Sequence, residues 1–462
     1  MDIVIIGSGS AAFACALRAA KDGAKVTLIE NNVIGGTCVN VGCVPSKVFV
    51  RASHIAYLQH EHPFLGVGHH KLDVNRSKQV VQQQELVDEL RENKYKKHLS
   101  ENPNLQFIQG KAQFKGEQTI EITNDRGKVD ILHFDRALIA SGASPAIPPI
   151  DGLPQTPYWT STEALVAKEL PDHLIVLGGS AIGLELGQAI LHEGVKVTVI
   201  DIMALLPKED PLIGETMQTI LEKEGMQIIT HADIQTVVFE NQEFTVQLKD
   251  RSISGDKLLV ATGRKPNTND LNLSTIGVET DVRGAVIVDK ELRTTNETIY
   301  AAGDCTQQPQ FVYVAAAAGT RAAVNMLGGH EVLDLSAMPA VVFTDPQVAT
   351  VGLTEQQAKQ SGIEVESRIL TLDNVPRALA NLDTRGFIKL VADQSTNALL
   401  GAQIVATDAS EIIQIAALSL RQNLSVSEIS QQMFPYLTMA EGIKLCAQTF
   451  FQDVNKLSCC AG

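Results

Sequence analysis

The feature that most constrains the fold of this chain is an internal repeat, found at residues 3–30 and again at residues 174–201. Each copy runs from an apolar strand through a glycine-rich turn and a helix to a second apolar strand that ends in an acid. That acid, Glu30 or Asp201, lies 23 residues after the first glycine of its copy. This pattern is typical of a dinucleotide-binding βαβ unit. The sequence therefore predicts an α/β protein with two nucleotide-binding units.

The two glycine-rich turns differ in detail. The first, Gly7-Ser8-Gly9-Ser10-Ala11-Ala12, has alanine at the third glycine position, and the second, Gly178-Gly179-Ser180-Ala181-Ile182-Gly183, has serine at the second. Glycines let a pyrophosphate approach the start of the helix, where free N–H groups attract an anion. The acid accepts hydrogen bonds from ribose hydroxyls. For either copy, the alternative is an α/β unit with a tight turn and no ligand.

A second informative pattern is the pair Cys38 and Cys43, which four residues separate, so that the two thiols could form a disulfide. Glycines before and after Cys38 leave room for a flat group against the backbone. Pro45 suits the first turn of a helix that begins just after Cys43. The positive end of that helix and the cation of Lys47 both favour thiolate at Cys43. The pattern predicts a redox pair beside an electron carrier; two buried structural cysteines are the alternative.

Two dinucleotides and a thiol pair together predict a flavin as the middle carrier, because a flavin can accept a hydride and reduce a disulfide. The acid of Gly303-Asp304, at the end of a strand-like run, suits a ribityl chain. Segments 138–143 and 259–264 resemble each other, and we expect the chain to leave and re-enter the flavin domain there.

Composition excludes several classes of protein. The net charge of −15 argues against a nucleic-acid partner, and no apolar run is long enough to span a bilayer. The chain opens on a strand-like run, so we expect no cleaved leader. Seven cysteines, an odd number, indicate a reducing cytoplasm rather than a secreted disulfide framework.

We interpret the histidine-rich stretch 54–70 as a solvated loop rather than a metal site, and Cys15, Cys305 and Cys446 as core residues.

In combination these motifs resemble the flavoprotein disulfide reductase family over nearly the whole chain. The resemblance implies that the first βαβ unit binds FAD, the second binds NAD(P)H, and a C-terminal α/β domain forms a homodimer. The implied division is residues 1–148 for the first part of the FAD domain, 149–265 for the NAD(P)H domain, 266–335 for the second, central part of the FAD domain, and 336–462 for the dimerisation domain.

The same resemblance implies the site residues. Cys43 would face the flavin, Cys38 would engage substrate, and Lys47 would lie near the flavin, paired with Glu185. The cofactor-binding residues implied in this way are Gly7, Gly9, Ser10, Ala11, Glu30, Gly36, Thr37, Lys47, Gly142, Gly178, Ser180, Gly183, Asp201, Gly263 and Asp304.

The C-terminal third of the chain indicates which branch of the family this sequence resembles. Disulfide reductases of the family carry a His-Pro-Thr segment whose histidine protonates a leaving thiolate, but here Phe434 stands at that position and the last histidine is His330. The chain then ends with adjacent Cys459 and Cys460, which suit a soft, thiophilic cation. The combination is similar to the branch of the family that reduces Hg(II), a substrate that needs no such proton.

This closer resemblance implies that the terminal cysteine pair of the partner subunit delivers Hg(II), arriving as a thiol complex, to the inner pair. Cys38, Cys43, Cys459 and Cys460 would then be the metal ligands. Tyr436 would lie beside the bound metal, and Tyr95 matches a second tyrosine of that branch's site. For both tyrosines a buried aromatic with a satisfied hydroxyl is the alternative.

Two departures from that branch leave alternatives open. Many of its members begin with a small Cys-x-x-Cys domain, whereas here Met1 opens the flavin domain, so we expect metal to reach the terminal pair directly or from another carrier. Asp201 favours NADH, although the branch implies NADPH, and we expect an NADH/NADPH preference near or above one. The rival functions are a disulfide reductase of the lipoamide dehydrogenase or glutathione reductase type and a metal-sequestering flavoprotein without turnover.

Overall fold

The structure, a computed structural model, describes residues 1–456, and its first sheet contains five parallel strands. In spatial order they are Ile299–Ala301 (β17), Arg136–Ile139 (β7), Asp2–Ile6 (β1), Lys25–Glu30 (β2) and Leu105–Gln109 (β3). Side chains alternate between the two faces of β1 because successive Cβ atoms point to opposite sides of a strand. Ile3 and Ile5 pack on the helical side, and Val4 and Ile6 pack on the other.

Helices cover one face of this sheet. Helix α1 (Ser10–Lys21) connects β1 to β2 and packs against α9 (Val312–Met326). Both helices are rich in alanine, and a Cβ at Gly319 would lie only 2.0 Å from the carbonyl oxygen of Ala11. Small residues thus let the two backbones approach closely. The other face is covered by an antiparallel sheet of Lys111–Gly116 (β4), Thr119–Thr123 (β5) and Val129–His133 (β6).

The second unit repeats this plan with four parallel strands. In spatial order they are Gln227–Ile229 (β11), Lys196–Ile200 (β10), His173–Leu177 (β9) and Lys257–Val260 (β15). Helices α7 (Ala181–His192) and α8 (Pro211–Lys223) follow β9 and β10. An antiparallel sheet packs on the other face of these strands, formed by Ile234–Glu240 (β12), Glu243–Leu248 (β13) and Ser252–Gly255 (β14). Strands β8 (Ala143–Pro145) and β16 (Arg264–Pro266) pair where the chain crosses between the two units.

The C-terminal part is built on a mixed layer of helices and one antiparallel sheet. In spatial order its strands are Ala340–Val342 (β18), Gln347–Gly352 (β19), Leu399–Ala406 (β22), Phe387–Asp393 (β21) and Val365–Thr371 (β20). Helices α12 (Ala409–Arg421) and α14 (Glu441–Gln448) bury apolar side chains against this sheet. The mixed α/β fold expected from the sequence is therefore confirmed.

Shorter elements complete the described chain. The remaining helices are Gly36–Val41 (α2), Cys43–His60 (α3), Arg76–Arg91 (α4), Lys97–Glu101 (α5), Ser161–Val166 (α6), Glu355–Gln360 (α10), Pro376–Asn381 (α11) and Val426–Gln431 (α13). Single 3₁₀ turns occur at Leu153–Gln155, Leu273–Ile276, Leu372–Asn374 and Val454–Lys456.

The charge-rich stretch at residues 78–97 does not form one continuous α-helix. Helix α4 ends at Arg91, a π-helical turn covers Glu92–Lys96, and α5 follows. The hydrophilic composition of this stretch gave no signal for the π turn. Because π turns inside helices occur frequently at functional sites, the position of Tyr95 in this π turn agrees with its being a candidate site residue.

The sheets follow one another along the chain in the order of the expected domains, while the exact domain boundaries stay a prediction. Among residues 1–456, no helix combines the length and the apolar character needed to cross a bilayer.

Candidate active site

Glycines in the first phosphate-binding turn bring several backbones into contact. Gly7 has φ of +109°, and a Cβ there would lie 2.3 Å from the carbonyl oxygen of Ala140. A Cβ at Gly36 would lie 2.5 Å from the Cα of Gly9. Helix α1 begins at Ser10, and no side chain of residues 1–456 caps its N-terminus. The free N–H groups at this helix start can therefore bind an anion.

The acid at the end of β2 is held in place by its neighbours. The Ser8 hydroxyl donates to Glu30 Oε2 at 2.7 Å, and the Asn32 N–H donates to Glu30 Oε1 at 2.8 Å. The Gly35 N–H donates in turn to Ser8 Oγ at 3.2 Å. The carboxylate of Glu30 is thus fixed beside the phosphate-binding turn, where ribose hydroxyls of a dinucleotide would lie.

Cys38 and Cys43 lie on adjoining helices. Cys38 is in α2, and Cys43 is the first residue of α3, which agrees within one residue with the helix start expected from the sequence. Both are free thiols in this structure; Cys43 is exposed and Cys38 is partly buried. The alternative of two buried structural cysteines is therefore wrong. By contrast Cys15, Cys305 and Cys446 are fully buried, as expected for core residues.

The two thiols have different proton affinities. The pKa of Cys43 is lowered to about 7, chiefly by a hydrogen bond from Cys38 and also by Lys47, against the opposing effects of burial and Glu185. The same hydrogen bond, together with burial, raises the pKa of Cys38. Near neutral pH the pair therefore holds one proton, on Cys38, and a large fraction of thiolate on Cys43. This is the direction that the sequence predicts for Cys43.

Lys47, one turn after Cys43, forms an ion pair that joins two units. Its Nζ lies 2.6 Å from Glu185 Oε2 on α7, and the N–H of Phe343 donates to Glu185 Oε1 at 2.8 Å. Lys47 Nζ also lies 4.6 Å from the centroid of the Phe343 ring, within cation–π range. The Lys47–Glu185 pairing implied by the resemblance is present, whereas the sequence gave no signal for Phe343.

Tyr95 lies beside the same thiols. Its ring meets the ring of Phe13 edge to face, with centroids 4.7 Å apart, and a Cβ at Gly35 would lie 3.6 Å from Tyr95 Cδ2. Burial raises the pKa of Tyr95, and its electrostatic interaction with the Cys38–Cys43 pair raises it further. The phenol therefore keeps its proton and can act as a hydrogen-bond donor near the sulfurs.

A second group of residues lies near Cys43, where the sequence predicts a flavin. Gly303 has φ of +83° and precedes Asp304. The Nε of Arg264 lies 3.7 Å from Asp304 Oδ2. Buried atoms without a hydrogen-bond partner in the described chain include Ser141 Oγ and that Arg264 Nε. Gly142 and Gly263, both with positive φ, directly precede strands β8 and β16.

These residues fit a flavin dinucleotide. The features that would hold it are a glycine-lined helix start, a fixed acid at the end of β2, an acid after β17 and buried unpaired polar atoms, one of them on Arg264, which interacts electrostatically with Cys43. Gly36 and Thr37, at the start of α2, lie on the same side as the phosphate-binding turn. Unpaired buried polar atoms are rare unless a ligand supplies partners.

The second nucleotide turn is equally compact. Gly178 has φ of +110°, and a Cβ at Gly183 would lie 1.9 Å from the carbonyl oxygen of Gly178. Ser180 precedes α7 as its N-cap residue. Asp201 Oδ2 accepts the Gly179 N–H at 2.5 Å, so the acid at the end of β10 lies against the turn. The arrangement fits the pyrophosphate and ribose of a second dinucleotide.

The remaining expected residues belong to the C-terminal part of the chain. Tyr436 is in the loop between α13 and α14 and is 52% exposed. Phe434, which occupies the position of the family's histidine, lies in the same loop and is partly buried. Cys459 and Cys460 lie outside the described residues.

The histidine-rich stretch forms no multi-ligand metal site. The rings of His62 and His69 stack at 4.3 Å. Within the described part of the chain, no three or more His, Cys, Asp or Glu side chains are placed to hold one metal ion. Two thiols remain sufficient for Hg(II), a soft cation that thiolates bind well.

The fold and the site define a class of protein, and comparison with known proteins agrees. A family model described as "Pyridine nucleotide-disulphide oxidoreductase" matches residues 1–319, and that family's dimerisation domain matches residues 338–447. The chain belongs to the pyridine nucleotide-disulphide oxidoreductase family.

Individual proteins within this family are similar to the chain over its whole length. The chain is 53% identical over 463 residues to a mercuric reductase of Acidithiobacillus ferrooxidans, covering 100% of this chain and 85% of that protein. It is 52% identical over 461 residues to a mercuric reductase of Shewanella putrefaciens, with 100% and 83% covered. Among solved structures, the Cu(II) complex of the HOCl-induced flavoprotein disulfide reductase RclA from Escherichia coli matches with a TM-score of 0.88 at 32% identity, covering 98% of this chain and 99% of that one.

Proposed function

We propose that this protein is a mercuric reductase, which reduces Hg(II) to Hg(0) with electrons from NAD(P)H. The observation that carries the proposal is the thiol pair at the start of α3: Cys43 has a pKa lowered to about 7, and Cys38 holds the proton beside it. Curated mercuric reductases that are 42–53% identical over the whole chain support the choice of substrate.

Capture of the metal follows from the protonation of the pair. The Cys43 thiolate binds Hg(II) first, because thiolate and not thiol is the ligand. Cys38 then binds as the second ligand and releases its proton to solvent. Two thiolates complete the linear coordination of the ion, so the site needs no third protein ligand.

The cofactor-binding residues are proposed in two groups. FAD would be held by Gly7, Gly9, Ser10, Ala11, Glu30, Gly36, Thr37, Lys47, Gly142, Gly263 and Asp304, and NAD(P)H by Gly178, Ser180, Gly183 and Asp201. When bound, these cofactors supply the two electrons that convert Hg(II) to Hg(0). The protein fixes the relative positions of electron source and metal, which is the main contribution of a site of this kind.

Polar neighbours of the thiols have distinct proposed roles. Lys47 stabilises negative charge at Cys43, and Glu185 orients Lys47 through their 2.6 Å ion pair. Tyr95, which keeps its proton, donates a hydrogen bond to a sulfur and thereby holds the pair in place. Tyr436 of the partner subunit would approach the metal from the other side of the site.

The oligomeric state of the protein and the route by which Hg(II) reaches the inner thiols are proposed together. We propose a cytoplasmic homodimer, supported by the match of residues 338–447 to a dimerisation domain and by the free state of the five described cysteines. The partner's Cys459 and Cys460 would carry Hg(II), received from a thiol complex, to the inner pair. Ligand exchange between thiolates transfers the ion without leaving it free in solution.

For the coenzyme we propose a preference for NADH that equals or exceeds that for NADPH. Asp201 accepts backbone N–H groups of Gly179 at 2.5 Å and Met203 at 2.7 Å, so its charge is fixed at the ribose position. A fixed carboxylate favours the free 2′-hydroxyl and repels a 2′-phosphate.

The experiment that tests the function compares three substrates. The purified protein is assayed for NAD(P)H oxidation with Hg(II), lipoamide and glutathione disulfide, and the Hg(II) assay is repeated with a variant that lacks the last four residues. We expect oxidation with Hg(II) alone, slowed at low Hg(II) by the truncation. Faster turnover of either disulfide would favour the disulfide reductase, and tight Hg(II) binding without oxidation would favour a sequestering protein.

A further inference from the structure

Arg264 lies near the proposed FAD site, and the proposed reaction assigns no role to its side chain. Arg264 begins β16, and its Nη2 donates to the carbonyl oxygen of Ala143 on the paired strand β8. The side chain is 12% exposed. A long cationic side chain is rarely buried to this extent unless it is paired.

The Arg264 guanidinium is directed at Asp304 but does not reach it. Its Nε lies 3.7 Å from Asp304 Oδ2, which is longer than a hydrogen bond. That Nε is buried and has no hydrogen-bond partner within residues 1–456. Because a buried unpaired donor is costly, a small movement of the carboxyl toward Arg264 would be favourable.

Asp304 is itself confined. The preceding residue, Gly303, has φ of +83° and lies against α1 and α9, since a Cβ there would be 3.3 Å from Ala11 Cβ and 3.4 Å from Ala315 Cβ. Burial raises the pKa of Asp304, and Arg264 acts in the opposite direction. The other titratable groups that interact with this pair are Cys43 and Cys305.

We propose that Arg264 is a positioning residue for cofactor binding, which keeps the Asp304 carboxylate ionised and aimed at the polyol hydroxyls of FAD. An ionised carboxylate forms stronger hydrogen bonds to hydroxyls than the neutral acid does. The inference rests on the proposed FAD site. It adds a residue outside the nucleotide fingerprint that controls whether the acid of that site carries its charge.

The test is the affinity of the cofactor-free full-length protein for FAD, measured by quenching of flavin fluorescence between about pH 5 and pH 9, a range that covers a raised carboxyl pKa. Arg264→Gln is expected to weaken binding about tenfold near neutral pH, the size expected for a hydrogen bond to a charged group. The loss should grow as the pH falls, because FAD binding is linked to ionisation of Asp304. Arg264→Lys, which keeps the charge, should restore most of the affinity near neutral pH.

A double substitution separates positioning from a general packing role. In the Asp304→Asn background, Arg264→Gln should cause no further loss of affinity at any pH. An equal loss in both backgrounds, or a loss that is the same at every pH, would overturn the role of Arg264.

Two outcomes remain distinct from that one. If Arg264→Gln does not fold, the wild type and Asp304→Asn still decide, because the FAD affinity of the wild type must fall more steeply with decreasing pH than that of Asp304→Asn, in which Cys43 still titrates; parallel pH profiles of the two proteins overturn the proposal. A wild-type protein that fails to bind FAD at any pH would instead overturn the proposed cofactor assignment together with this inference.

Discussion

Lys47 Nζ lies 2.6 Å from Glu185 Oε2, and this ion pair joins the helix that starts at Cys43 to the helix of the second nucleotide-binding unit. Glu185 is 7% exposed and also accepts the Phe343 N–H from the C-terminal part of the chain. Three parts of the molecule therefore meet within one turn of the redox thiols. The charge at Cys43 is sensitive to Lys47 and to Glu185, which come from two of these parts.

Substitutions of Lys47 and of Glu185 should shift the pKa of Cys43 in opposite directions. Lys47→Met removes a cation that lowers the pKa of Cys43, so the midpoint should move above pH 7. Glu185→Gln removes an anion that raises it, so the midpoint should move below pH 7. The pH dependence of iodoacetamide alkylation of the reduced protein measures both. Shifts of the same sign in the two variants would contradict the electrostatic account.

The hydroxyl of Tyr95 should matter for turnover but not for folding. Tyr95→Phe keeps the edge-to-face contact with Phe13 at 4.7 Å, so the free energy of unfolding should change by no more than about 0.5 kcal/mol. Loss of a hydrogen bond to a charged sulfur should lower kcat with Hg(II) about tenfold.

Tyr57→Phe is the matched control for that experiment. Tyr57 lies on α3 and stacks on His192, with ring centroids 4.0 Å apart. Removal of its hydroxyl should leave kcat with Hg(II) unchanged. Equal losses for the two variants would indicate a general effect of the phenol substitutions rather than a role beside the thiols.

Coenzyme choice should depend on Asp201. Asp201→Asn removes the fixed charge but retains one amide oxygen to accept a backbone N–H. We expect the ratio of kcat/KM for NADH to that for NADPH to fall about tenfold, because the repulsion of the 2′-phosphate disappears. A strong NADPH preference in the wild type, or an unchanged ratio in the variant, would contradict this assignment.

A buried ion pair should stabilise the contact between the second nucleotide-binding unit and the C-terminal sheet. Lys389 Nζ lies 2.7 Å from Asp210 Oδ2, and both side chains are at most 8% exposed. Lys389→Met leaves a buried charge unpaired and should cost about 3 kcal/mol in urea denaturation. Adding Asp210→Asn should recover much of that loss; additive losses in the double variant would show that the pairing contributes little.

The sequence predicted those parts of the fold that follow from local chemistry. The βαβ repeat places Gly7, Glu30, Gly178 and Asp201 where the structure has them, because strand, turn and helix lengths fix the position of the acid relative to the turn. The start of α3 at Cys43 follows from Pro45 in the same way.

Other features depend on long-range packing and carry no local signal. Phe343 approaches Lys47 only because the turn after β18 packs on α7, across more than half of the chain. Ser8 binds Glu30 only once β1 and β2 are paired. The π turn around Tyr95 lies in a stretch whose hydrophilic sequence also suits a regular helix.

Hg(0) release by the thiol variants tests the central claim most directly. Mercury vapour is collected from the wild type, Cys38→Ser and Cys43→Ser with Hg(II) and an excess of NADH or NADPH. We predict release by the wild type in proportion to the NAD(P)H consumed, and none above background from either variant. Undiminished release from Cys43→Ser would contradict the claim that this thiol pair is where Hg(II) is reduced.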